Sequence, residues 1–223
     1  VTAIYSSDRS FAALRSDGSV VSWGPWAGGS SPELNGTIPV EEIYSSEKAF
    51  AALRSDGSVV TWGGGDAGNS SAVSAAINGT IPVTAIYSNP QAFAAVRNDG
   101  SVVTWGYDWK GGDSSAVASD IDGTVDVVSI SSADFAFAAL RRDGSVVTWG
   151  AEGAGGDSSA VSANLDGTIS VTAIYGTHGA FIATRNDGSV VTWGDTGEGG
   201  DSTSITWGIT DNQAAWLVDS DCN

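Results

Sequence analysis

The sequence predicts an all-β fold, a β-propeller of five repeats of about 39–44 residues, and three observations carry that prediction. The pattern Arg-x-Asp-Gly-Ser-Val-Val-(Thr/Ser)-Trp-Gly is written five times, with its Asp-Gly at 17–18, 56–57, 99–100, 143–144 and 187–188. Apolar alternation runs into each Asp-Gly and resumes after it, the signature of a β-hairpin whose glycine takes the positive φ of a tight turn. The segments flanking the corner are apolar on both faces: Phe11 and Ala13 alternate with Ala12 and Leu14, and Val20 with Val21 and Trp23. A sheet that is apolar on both sides must be buried on both sides, as a stacked blade is. A β-solenoid is the structural rival, disfavoured because its coils are shorter and carry no hairpin corner in every repeat.

Each unit opens on Val-x-x-Ile, at Val1, Val40, Val83, Val127 and Val171, giving spacings of 39, 43, 44 and 44. That opening is read as the first strand, Ala-Phe-Ala-Ala-Leu-Arg as the second and Ser-Val-Val-Thr-Trp-Gly as the third. A Gly-rich loop follows, then Gly-Gly-Asp-Ser-Ser-Ala-Val, clearest at 111–117 and 155–161, where Asp suits the cap of a single helical turn. Asn/Asp-Gly-Thr and a short apolar segment close the unit, with that segment a candidate fourth, outer strand. The blades are therefore placed at about 1–39, 40–82, 83–126, 127–170 and 171–208, in one domain spanning 1–208. Residues 209–223 break the pattern and are read as a capping or assembly segment. Its apolar stretch Ala214-Ala215-Trp216-Leu217-Val218 either folds back as a cap or joins copies head to tail into a fibre.

Composition narrows the function. Twenty-six acids face nine Lys and Arg, a formal charge of −17, so nucleic acid and anionic membranes are repelled. No apolar run is long enough to insert in a membrane. A chain that starts at Val1 and holds no Met reads as processed or truncated, with any targeting segment removed. Cys222 is the single cysteine, which allows an intermolecular disulfide and no internal one.

Phe-Ala-Ala-Leu-Arg-x-Asp-Gly-Ser-Val-Val-Thr-Trp-Gly-x-x-x-x-Gly-Gly resembles the RCC1-like (regulator of chromosome condensation) propeller repeat, over about residues 1–205. The resemblance implies a propeller and says little about activity. The sequence departs from the family pattern in three ways: it lacks the His ahead of the second strand, it has Gly-Gly-Asp-Ser-Ser in place of Gly-Gln-Leu-Gly, and its repeats are shorter. Five units imply either a closed five-bladed ring or part of a longer array.

Four sets of residues are candidates for special roles. Arg15, Arg54, Arg97, Arg141 and Arg185 stand two residues before each corner Asp and are expected to clamp neighbouring blades, against the alternative of a guanidinium ring gathering an anion. Asn35, Asn69 and Asn78 head Asn-x-Ser/Thr triplets that accept N-linked glycan in a secreted protein. Other repeats place Asp in the same columns, so turn chemistry explains the positions equally well. Trp26 and Trp109 occupy a column that is Gly65, Gly153 and Gly197 elsewhere; with Tyr107 beside Trp109 they are candidate platforms for a sugar or a partner's surface. The lone His178 has no nucleophile or metal partner in sequence, and no catalytic residue, metal or cofactor is expected.

These features predict a non-enzymatic, extracellular structural or protein-interaction propeller, with a protein partner or self-association. A carbohydrate-binding propeller that uses Trp26 and Trp109 is the competing expectation.

Overall fold

The computed structural model describes residues 1–28 and 31–203. The capping or assembly segment 209–223, with Ala214–Val218 and Cys222, lies outside the described residues.

Five antiparallel three-stranded sheets form five propeller blades, one per repeat. They comprise β1 (Ala3–Ser6), β2 (Phe11–Leu14) and β3 (Val20–Trp23); β4 (Val40–Ser45), β5 (Ala49–Arg54) and β6 (Val59–Gly63); β7 (Val83–Ser88), β8 (Ala92–Arg97) and β9 (Val102–Gly106); β10 (Val127–Ala133), β11 (Ala136–Arg141) and β12 (Val146–Gly150); β13 (Val171–Gly176), β14 (Ala180–Arg185) and β15 (Val190–Gly194). Strand order in each blade follows sequence, so the repeat is a meander. A bulge interrupts the first strand of blades 2 to 5, for example between Val40 and Glu42 opposite Arg54 and Leu53. The extra residue lets the strand bend where it enters from the preceding blade.

The expected helical turn is present as short 3₁₀ segments, Ser71–Val73, Ser115–Asp120 and Ser159–Asn164 in blades 2, 3 and 4, whereas the apolar segment after Asn/Asp-Gly-Thr adds no fourth strand among the described residues. The residue ahead of Asn/Asp-Gly-Thr touches the third strand instead. Val59, Val102 and Val146 donate their N–H groups to the carbonyls of Ile77, Ile121 and Leu165. Asp113 and Asp157 start the helical turn by accepting the N–H groups of Ser115 and Ser159, both at 2.8 Å, while Asn78, Asp122 and Asp166 accept the N–H groups of Thr80, Thr124 and Thr168 and turn the chain where a fourth strand would need those amides for a ladder.

Packing follows the alternation read in sequence. On each second strand one face meets the next blade and the other meets the preceding one. Ala49, Ala51 and Leu53 of blade 2 form a core with Ile86, Phe93, Ala95 and Trp105 of blade 3. The same arrangement recurs between blades 1 and 2, 3 and 4, and 4 and 5. Alanine lies opposite phenylalanine because the Phe ring, stacked on the Trp of its own blade at 5.3 to 5.5 Å, fills the space between sheets. Phe50, Phe93 and Phe137 are 0 % exposed and Phe181 1 %.

Blade 1 breaks this regularity. Phe11 stacks on Trp23 in the same way, at 5.6 Å, yet the two are 45 % and 47 % exposed and Ile4 is 64 % exposed. Their equivalents in blades 2 to 5 are buried. Blade 5 therefore does not cover blade 1, and among the described residues the five blades form an open arc.

Candidate functional site

The loops joining first to second strands gather at one end of the arc. Ser6–Asp8, Ser45–Glu47, Ser88–Gln91, Ser132–Phe135 and Gly176–Thr177 together line a polar funnel of about 880 Å³. Backbone hydrogen bonds tie neighbouring loops together: Asp8 N donates to Glu47 O at 3.1 Å, Glu47 N to Pro90 O at 2.9 Å, and Asp134 N to His178 O at 3.0 Å. The series skips one junction because Pro90 has no N–H to give. Asp8, Glu47 and Asp134 place carboxylates in the funnel lining.

At the rim, the two unexpected tryptophans each lean over the next blade. Trp26 lies against Gly64 of blade 2, where a Cβ would come within 2.6 Å of its ring, and Lys48 Nζ stands 5.7 Å from the ring centroid. Trp109 lies 6.1 Å from Phe135 of blade 4 and is 61 % exposed. Lys110 sits among aromatic faces, its Nζ 4.3 Å from the Phe135 centroid, 4.6 Å from Trp109 and 5.9 Å from Tyr107. Each such contact attracts the ammonium by the ring quadrupole, by about 0.5–1 kcal/mol at exposed sites. Phe135 also meets His178 edge-on at 6.3 Å, and His178 Nε2 lies 3.0 Å from Asp134 Oδ2.

The structure thus brings Tyr107 and Trp109 into one cluster and leaves Trp26 two junctions away. Lys110, Phe135 and Lys48 belong to the rim and were not singled out from sequence. The signal for Lys48 and Phe135 was a column that reads Lys48, Gln91, Phe135 and Gly179 ahead of a constant alanine. Positions that vary inside a strict repeat carry what the fold does not require.

The repeated arginines behave differently from the expected clamp between blades. Arg54, Arg97, Arg141 and Arg185 donate from Nε to the hydroxyls of Ser58, Ser101, Ser145 and Ser189 in their own hairpins, at 2.7 or 2.8 Å. Those serines in turn give hydroxyl and N–H to the corner carboxylates of Asp56, Asp99, Asp143 and Asp187. Arg15 lies beside Asp17, whose carboxyl is drawn below its usual range by the Ser19 hydroxyl and N–H and, to a smaller extent, by Arg15. At Asp56, Asp99 and Asp143 partial burial raises the pKa, and the serine bonds with the arginine charge outweigh it, so the net shift is down. Two of them also reach the preceding repeat: Arg141 Nη1 lies 3.4 Å from Asp120 O and 4.0 Å from Asp120 Oδ1, and Arg185 Nη1 lies 3.4 Å from Asn164 Oδ1. The short Nε spacing favours the hairpin because Arg and Ser face each other across one rung. No guanidinium ring gathers in the funnel, whose lining holds none of these arginines.

Asn35, Asn69 and Asn78 are exposed and use Oδ1 to accept the N–H groups of Thr37, Ser71 and Thr80 at 2.8, 3.1 and 2.9 Å. Asp122 and Asp166 make the same turn with Thr124 and Thr168. The turn occupies the side-chain oxygen of each asparagine. Among the described residues, no three His, Cys, Asp or Glu side chains are grouped to hold a metal, and no helix is long and apolar enough to cross a membrane.

No family model and no curated protein matches the sequence. Solved structures match in fold. The ectodomain of the receptor kinase CR4 of Physcomitrella patens is 18% identical with a TM-score of 0.53, over 85% of this chain and 52% of that one. The CRINKLY WD40 ectodomain of Arabidopsis thaliana ACR4 is 17% identical, TM-score 0.53, over 86% and 67%. Yeast RCC1 (Prp20), solved bound to Kap60, is 15% identical, TM-score 0.54, over 87% and 56%. The chain spans about half to two thirds of the length of these proteins, and at such identities the likeness is one of propeller fold.

Proposed function

We propose that the chain is an RCC1-like repeat propeller serving as a non-enzymatic protein-interaction module, and that its binding surface is the funnel rim around Trp109. The exposure of Trp109 carries this reading. A large flat side chain stands 61 % exposed in a column where glycine satisfies the fold in three repeats, and it is held in place by Lys110 and Phe135. Preorganised, exposed aromatics with a cation beside them are the residue types that dominate binding energy at protein interfaces. The acidic funnel beneath favours a partner segment with basic side chains and disfavours nucleic acid. Two solved structures of one neighbour, yeast Prp20, name its partners, Kap60 in one and Gsp1p and histones in the other, which supports interaction as a use of the fold.

The extracellular placement rests on the exposed Asn-x-Ser/Thr triplets at Asn35, Asn69 and Asn78. Carbohydrate binding at the same platform is the second reading, favoured by the free edge of Trp109 beside Asp108 and Asp113. The test is affinity capture with wild type and with a Tyr107→Ala/Trp109→Ala double variant of unchanged melting temperature, run beside a glycan array. A defined protein retained by wild type and lost from the variant supports the interaction module. Array binding lost on Trp109→Ala supports the lectin, and recovery equal for wild type and variant removes the rim from both.

A further inference from the structure

We infer that the outer edge of blade 4 is a strand-addition site, which takes an extended peptide carrying lysine or arginine as a fourth strand. The inference rests on the reading of the chain as an interaction module and adds what the partner presents and where it lies.

Among the described residues each blade ends at its third strand, and the register decides which backbone groups that leaves outward. Arg141 N donates to Ser145 O and Ala151 N to Phe135 O, so Ser145, Val147 and Trp149 turn their backbone groups toward β11. Val146 and Thr148, opposite Leu140 and Ala138, turn theirs away from it. The Val146 N–H is taken by Leu165 O at 2.9 Å, and among the described residues nothing takes the C=O of Val146 or the N–H and C=O of Thr148. The Thr148 hydroxyl is engaged elsewhere, with Gly156 O at 3.1 Å and Ser158 Oγ at 2.9 Å, and so holds that loop to one face of the blade. Thr148 is only 8 % exposed, which leaves its outward amide short of water as well as of a partner, and pairing it is favourable. An edge with unpaired amides is a template for another chain, whose main-chain hydrogen bonds supply the affinity.

The space beside this edge is open. A groove of about 730 Å³ runs between the Ser115–Asp120 segment of blade 3 and β12, and all five residues of Val146–Gly150 line it. Side chains alternate between the faces of a strand, so consecutive residues share a wall only where the groove follows the backbone edge. The β9 edge, Val102–Gly106, lines a smaller groove of about 450 Å³ in the same way. Charge separates the two. Asp108, Asp113, Asp120, Glu152 and Asp157 line the blade 4 groove against one cation, Arg141, whose Nε and Nη1 already turn to Ser145 Oγ and Asp120 O. The β9 groove has Asp108 and Asp113 as its carboxylates, with Asn69 on its far wall. The acidic walls on both sides of the β12 edge therefore select a strand with basic side chains.

The probe is a synthetic octapeptide of alternating lysine and valine, titrated by fluorescence anisotropy into the 223-residue chain at two salt concentrations. Binding is expected, weaker at high salt. N-methylation of alternate peptide amides removes the donors to Val146 O and Thr148 O and should weaken it about tenfold or more. In hydrogen exchange the Thr148 amide should be unprotected in the free chain and protected in the complex. Asp113→Asn/Asp157→Asn keeps both turns, since Asn69 makes the same bond to Ser71 N at 3.1 Å, and should weaken binding several-fold with a shallower salt dependence. A peptide that does not bind, an N-methylated peptide that binds as tightly, or a Thr148 amide whose protection does not change overturns the inference. Binding that appears only after residues 205–223 are deleted also overturns it, in favour of the chain's own tail as occupant. Peptide binding that survives Tyr107→Ala/Trp109→Ala supports the edge as the site. Binding lost in that variant but indifferent to N-methylation places the peptide on the rim, so that strand addition fails while the interaction reading stands.

Discussion

Five equivalent phenylalanines permit a stability comparison in which chemistry is constant and only the neighbour changes. Phe93 of blade 3 is 0 % exposed between blades 2 and 3, so Phe93→Ala removes a fully buried ring and leaves a cavity the sheets cannot close. The expected cost is about 3–5 kcal/mol. Phe11 performs the same role against Trp23 but is 45 % exposed, so slightly more than half of its apolar surface leaves water on folding. Full burial of a phenylalanine is worth about 2–3 kcal/mol, which scales to about 1–1.5 kcal/mol here, with no cavity term because water fills the space. Urea titrations of both variants, read by tryptophan fluorescence at concentrations where the chain is monomeric, measure the two differences. Loss of 3 kcal/mol or more from Phe11→Ala would mean that blade 1 is covered within a single chain, and the open arc would be refuted.

Three further comparisons use the same internal control. Gly144 and Gly188 share φ values of 82° and 81°, so alanine strains both backbones alike; only at Gly144 does the new Cβ meet Ser170, at 2.5 Å from its Cβ and 2.7 Å from its Cα. Gly144→Ala should lower the melting temperature well beyond Gly188→Ala, and equal losses would show that the corner of blade 5 is covered. Trp105 Nε1 donates to Ala67 O at 3.2 Å while the buried Trp62 Nε1 has no acceptor among the described residues, so Trp105→Phe should cost about 1 kcal/mol more than Trp62→Phe in the same urea assay; an equal cost would mean that Trp62 has found a partner. Ten turn and corner aspartates have carboxyls held below their unfolded range by serine or threonine donors: Asp17, Asp56, Asp99, Asp143, Asp187, Asp113, Asp122, Asp157, Asp166 and Asp201. A depressed folded pKa means the unfolded chain binds protons more readily, so this stability is present above about pH 3.9 and is lost as pH falls through the folded values. Thermal melts should decline below that pH, and a melting temperature that holds steady to pH 2 would contradict the assignment.

The blade was legible because three independent signals agree in each repeat: the Asp-Gly corner, the two-sided apolar alternation and the Trp that ends the third strand. The fourth strand was misread because a short apolar segment looks the same whether it extends or only touches an edge. The deciding residues were Asn78, Asp122 and Asp166, whose side-chain oxygens capture amides two residues on, as Asp113 and Asp157 do at the helical turn that was legible. The arginine column was legible as a column but not in its target. A spacing of four from Arg to Ser places the two across one hairpin rung, where the shortest available acceptor is the serine hydroxyl rather than anything on the neighbouring blade. The rim shows the opposite limit. Trp109 could be flagged from sequence because it replaces glycine, whereas Phe135 could not be joined to it because the two belong to different repeats and meet only when blades 3 and 4 are packed.

The same reasoning explains why the open end of the arc escaped a reading of one strand at a time. Phe11 and Trp23 are written identically to their buried counterparts, so their local sequence states what the side chains are built to touch and not whether it is there. A repeat sequence encodes a junction twice, once as a knob and once as a socket, and an array of five blades holds five of each but satisfies only four pairs. Among the described residues the unmatched knob, made of Ile4, Phe11 and Trp23, sits on blade 1. An isolated soluble chain tends to mask such an end with polar residues, since terminal units of repeat arrays need a polar outer face. Here Ile4, Phe11 and Trp23 keep an apolar face in a chain that is otherwise strongly acidic.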